Sequence, residues 1–122
     1  MTVTHVGYIL AGLIAAAIIV IGARFIVAPR VAASGYGVPD PGTGAYLSVK
    51  GVRDIASGLF VIILMTAGAT QLLGWVMLAA TVIPVADAAI VLRNGGSKAI
   101  AWGVHGSTAA VMLVTSALLL IG

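Results

Sequence analysis

The chain has no cysteine and very little charge: of its 122 residues, three are acidic and six are Lys or Arg. Without cysteine there are no disulfides, no thiol catalysis and no cysteine-ligated metals, and the redox compartment cannot be read. A charged share of 7% compares with roughly 25% in soluble domains. No Gly-rich phosphate loop follows a strand, no His/Glu spacing suits a catalytic metal, and no histidine pair stands at haem spacing across two helices. No metal and no cofactor is therefore expected. The net charge of +3 would raise nucleic acid in a soluble protein, but these few basic residues belong to membrane ends, where they set topology and meet anionic lipid. No Lys or Arg precedes the first apolar run. That run is too long for a signal peptide, and positive charges follow it, so no cleavable signal is expected.

What the chain does have is apolar length. It is 61% hydrophobic with a mean hydropathy of +1.22, more than so small a water-soluble core could hide. Lipid is the solvent that accepts it. A helical crossing takes about 20 apolar residues, which leaves room for about four passes and short connections. The expected fold is all-α: a polytopic membrane protein, a single domain over 1–122, built as an antiparallel bundle of four transmembrane helices. Their bounds fall near 3–28, 45–67, 71–92 and 98–121. Pro29 and Arg30 close the first helix, and the segment 31–44 reads as the only substantial loop. Its Ser34-Gly35-Tyr36-Gly37 and Val38-Pro39-Asp40-Pro41-Gly42 runs are turn chemistry. Asn94-Gly95-Gly96-Ser97 reads as a tight turn, with Ser97 a helix N-cap. Connections this short make successive helices antiparallel neighbours. Small residues four apart, such as Gly12 with Ala16 and Gly103 with Ser107, are the spacing that lets membrane helices pack closely.

The basic residues order the molecule. Arg24, Arg30, Lys50, Arg53, Arg93 and Lys98 all fall at one membrane face, and the face holding both termini and the 68–70 turn has none. The positive-inside bias predicts a plasma (inner) membrane protein with the 29–45 loop and the 93–98 turn in the cytoplasm. Both termini then face outward.

Ionisable groups inside membrane helices are costly and so mark candidate sites. Lys50, Arg53, Asp54 and Ser57 stand at i, i+3, i+4 and i+7, one continuous helical face. Asp87 lies one turn after Pro84, whose missing N–H frees a carbonyl and kinks the helix. Trp102 and His105 share a face of the last helix, with His105 roughly 10 Å below Lys98 at 1.5 Å per residue. Arg24 lies at similar depth. Asp54, Asp87 and His105 are the candidate catalytic groups. Arg24, Lys50, Arg53, Ser57 and Trp102 are the candidate ligand contacts. Blander roles stand beside these: snorkelling anchors for Lys50, Arg53 and Arg93, structural ion pairs of Arg24 with Asp87 or of Arg53 with the neighbours of Asp54, a hydrogen-bonded packing residue in His105, and an interface anchor in Trp102. His5 and Tyr8 lie at the opposite surface and read as interface residues.

Gly22-Ala23-Arg24-Phe25 with Pro29 and Gly35-Tyr36-Gly37, then Lys50-Gly51-Val52-Arg53-Asp54 followed by Gly58, form two characteristic stretches. With Pro84, Asp87 and the 98–105 stretch, they resemble the domain-of-unknown-function family numbered 4267, small four-helix membrane proteins distantly like the DoxX-type bundles. The resemblance implies the fold and points to Arg53, Asp54, Asp87 and His105 as the family site. It implies no activity.

Three functions stay open at this stage. The first is binding, or transformation by acid/base chemistry, of a lipid-like or quinone-like amphiphile. Its tail would lie in the apolar half and its head in the polar half, Asp54 or Asp87 acting as base and His105 as acid or relay. Counting Arg24, Lys50, Arg53 and Arg93 against Asp54 and Asp87 suggests an anionic or carbonyl-bearing head. The second is an accessory subunit of a larger membrane complex, docked on a membrane-protein partner or a second copy of itself. The third is a small proton-coupled transporter, made less attractive because the first helix carries no central acid.

Overall fold

The computed structural model describes residues 1–39, 42 and 44–122. The Asp40-Pro41 part of the turn-rich run lies outside the described residues. Every ordered element among them is helical, and there is no strand. Three helices are long and apolar enough to cross a membrane: Val3–Val27, Thr70–Arg93 and Lys98–Ile121.

Helix α1 (Val3–Val27) starts in a capping box. The Thr2 hydroxyl accepts from the His5 amide, and the Thr2 amide donates to His5 Nδ1. Two donors that a helix start leaves unsatisfied are thereby met, a local job for a histidine expected only to sit at the interface. The chain does not loop out after Arg30, as the turn residues suggested. A second helix, α2 (Pro29–Tyr36), follows at once. Proline at N1 needs no amide partner and presets φ for helix. Gly37, at φ +99°, closes it in the left-handed region that favours glycine. Ala32 and Ala33 turn inward and are buried with Phe25 and Leu47.

Helix α3 (Gly44–Thr66) has 23 residues, but Lys50, Arg53 and Asp54 interrupt its apolar run. It packs along α1 more extensively than any other pair of helices packs. A Cβ on Gly22 would come within 2.5 Å of the Gly51 carbonyl oxygen, and one on Gly51 equally close to that of Gly22. One on Gly58 would meet the Ala15 oxygen at 2.9 Å. Contacts thus advance along α1 as they retreat along α3. The glycine spacing that makes the crossing is seven residues, not four: Gly103 faces open space and Gly12 meets only Met65.

Helices α4 (Thr70–Ala80) and α5 (Val82–Arg93) form one rod broken at Thr81. The Thr81 hydroxyl donates back to the Met77 carbonyl at 3.0 Å. Three residues on, Pro84 withholds an amide from the same stretch. Back-bonding hydroxyls and proline are the usual causes of such a break. Helix α6 (Lys98–Ile121) is N-capped by Ser97, which accepts from the Ile100 amide, as its position predicted. It contains a π-helical turn, Ala101–Gly106, that nothing in the periodicity announced. Large apolar side chains stay exposed around the outside of the helices, among them Leu13, Phe60 and Val82, as lipid contact requires.

The two ends differ. At one, Tyr8 shares a 2.8 Å hydrogen bond with Thr70, the Gln71 side chain donates to the Leu120 carbonyl, and Gly122 abuts Thr4. At the other, Gly37 packs against Ile100 and Val91, and Lys50 meets Phe25 and Tyr36. All six basic residues belong to elements at this second end.

A candidate polar site beneath the short helix

Lys50 and Asp54 stand one turn apart on α3, so their side chains meet. Lys50 Nζ lies 2.6 Å from Asp54 Oδ2, both groups half-buried. This is the one ion pair among the described residues. The ammonium also lies 4.2 Å from the centre of the Phe25 ring and 4.7 Å from that of Tyr36, within cation–π range. Phe25 and Tyr36 themselves meet edge to face at 6.0 Å, the arrangement that ring quadrupoles favour.

Tyr36 is the hinge of the arrangement, because its ring also lies 4.6 Å from that of His105. His105 Nε2 lies 2.9 Å from the Tyr36 carbonyl oxygen. A carbonyl only accepts, so Nε2 carries the hydrogen and donates it. His105 is 6% exposed, and this bond answers the requirement that a buried polar group find a partner. Burial first, then the nearby Asp87 carboxylate and, more weakly, Asp54, push the Tyr36 phenol above the usual tyrosine range. Asp87 is half-buried on α5 and has no ion-pair partner among the described residues.

Of the residues singled out in the sequence, Lys50, Asp54, Asp87 and His105 gather around Tyr36. Arg24, Arg53 and Arg93 are exposed, and no Arg24–Asp87 pair forms. Arg53 shares a sequence face with Lys50 and Asp54 but falls at its outer edge. Ser57 turns its hydroxyl back to the Arg53 carbonyl at 2.9 Å, which leaves it no donor for a ligand. Trp102 is 66% exposed whereas His105 is buried. The π turn explains why: its wider i→i+5 winding rotates apart two residues that an α-helix would stack. With the arginines outside, the interior holds one ammonium against two carboxylates. The positive lean counted from the sequence is therefore a property of the rim.

Phe25 and Tyr36 stand in the sequence only as members of the family-like stretches, with no place among the candidate site residues. Tyr36 was hidden because 31–44 read as a loop. Pro29 at one end and Gly37 at the other were the signal for a short helix that puts Ala32, Ala33 and Tyr36 on one side.

A groove of about 700 Å³ opens beside the cluster, between α2 and the start of α3. Arg30 and Ser34 line it, and Ala33 and Leu47, which pack with Phe25 and Tyr36, are among its walls. Among the described residues, no three His, Asp or Glu side chains come close enough to hold a metal ion.

No match was found among curated proteins or among solved structures, so the likeness to DoxX-type bundles gains no support from either. A family model does match, over residues 15–119, a span that includes every residue of the cluster. The chain belongs to the family described as a domain of unknown function, DUF4267.

Proposed function

We propose that this chain is a four-pass protein of the plasma (inner) membrane that binds an amphiphilic small molecule at the polar cluster beneath α2. Helix α3 is the fourth pass in this reading. Its 23 residues are long enough, and its charges sit in the half nearest the basic end. The basic end faces the cytoplasm by the positive-inside bias, and both termini face outward. The carrying observation is the convergence of Lys50, Asp54, Asp87 and His105 with two aromatic rings, half-buried and next to an open groove. Such a grouping, apolar-walled with few polar groups, is the usual make-up of a small-molecule site. A bundle held together only by packing has no need of it.

The role is binding. Any acid/base step would draw on Asp54, Asp87 or the Nδ1 of His105, since His105 Nε2 donates to the Tyr36 carbonyl and holds α2 in place. Native mass spectrometry of the protein in mild detergent, wild type beside Asp54→Asn, tests the reading. A small amphiphile retained by wild type and missing from a folded Asp54→Asn supports it. A bare wild-type chain, or one that leaves the membrane only with another protein, overturns it in favour of an accessory subunit.

A further inference from the structure

Lys50 is held in the way a ligand is held. Asp54 supplies a carboxylate from α3, Phe25 a ring from α1, and Tyr36 a ring from α2, all around a single ammonium. A carboxylate with aromatic faces within about 6 Å is the chemistry that recognises alkylammonium ions. The surrounding charge leans the same way. Asp87 adds a second carboxylate without an ion-pair partner among the described residues, and the arginines stand outside. Lys50 is also free to leave. Its side chain keeps 29% of its surface exposed, and its flexible stem can carry the ammonium out to the nearby membrane surface while staying in apolar contact.

We infer that Phe25, Tyr36 and Asp54 form a binding cage for the ammonium head of an amphiphile, with Lys50 its resident occupant, displaced when the ligand enters. This rests on the amphiphile-binding function and names its head group. The exchange conserves charge, one ammonium replacing another, so no net charge is added to the membrane interior. The groove beside α2 shares Ala33 and Leu47 with the apolar cluster around Phe25, and it gives the head a way in from the membrane surface.

The test uses three probes with the same tail: dodecyltrimethylammonium, dodecyl glucoside and dodecyl phosphate. Each is added to the full chain in maltoside detergent, and binding is read by native mass spectrometry. Wild type should favour the ammonium probe. Lys50→Met, which empties the cage and keeps the stem, should bind it about tenfold more tightly, and Phe25→Leu about tenfold more weakly. Equal binding of the three heads, preference for phosphate, or no tightening in a folded Lys50→Met would overturn the cage while leaving amphiphile binding intact. If Lys50→Met does not fold, the wild-type preference among the heads decides alone. Retention of no probe by wild type or by Lys50→Met would overturn both.

Discussion

Tyr36 ties four elements together: its ring meets Phe25 of α1, Lys50 of α3 and His105 of α6, while its own helix, α2, is anchored through its carbonyl. Its phenol is half-buried and faces carboxylates, so its proton is held more tightly in the folded chain than in the unfolded one. The folded pKa is raised above the unfolded value near 10. The stability this contributes is therefore fully present below about pH 10 and is lost as pH rises beyond it. In an alkaline titration followed by tyrosinate absorbance, folded Tyr36→Phe should trace the wild-type curve through about pH 10. The two should separate by one tyrosine once both are unfolded. A missing tyrosine in the folded Tyr36→Phe curve would contradict the burial. His105 belongs to the same scale: its Nε2 hydrogen is donated to the Tyr36 carbonyl, a bond that joins α6 to α2 and leaves Nδ1 as the ring nitrogen it does not use.

Among elements, the α1–α3 crossing and the short α2 decide the geometry. Gly22 and Gly51 bring two backbones together where a methyl group on either would press on the other's carbonyl. Backbone oxygens cannot move aside as a flexible side-chain tip does. Gly51→Ala should lower stability by about 1–3 kcal/mol, as overpacking does, read as a lower thermal midpoint in detergent. Gly103→Ala, where a Cβ meets open space, should stay within about 0.5 kcal/mol of wild type. Equal effects would mean the crossing is looser than described. Because Lys50 and Asp54 flank this crossing, Gly51→Ala should also disturb the polar cluster.

At the scale of the whole molecule, charge is segregated. The end where Tyr8 meets Thr70 and Gly122 meets Thr4 carries no Lys or Arg, and the end that holds α2 carries all six. The absence of native cysteine makes the orientation testable with single substitutions. In intact cells an impermeant thiol reagent should label Thr70→Cys and spare Ser34→Cys; the reverse pattern would invert the protein.

Much of this was legible in the chain alone. Apolar runs long enough to cross a bilayer, the gathering of Lys and Arg towards one end, the Ser97 cap and the break near Pro84 depend on residues close in sequence. Solvent preference and backbone chemistry act on such residues directly. Three things were decided only by tertiary structure. Helix α2 persists among turn-forming residues because Ala32, Ala33 and Tyr36 find apolar partners on α1 and α3. The π turn parts Trp102 from His105, against the α-helical face they share in sequence, and His105 finds the Tyr36 carbonyl. The sign of the interior charge depends on which cations point inward, and that is set by how α1 and α3 rotate to close Gly22 on Gly51. Local chemistry chose the helices; their mutual rotation, visible only when the backbones touch, chose the site.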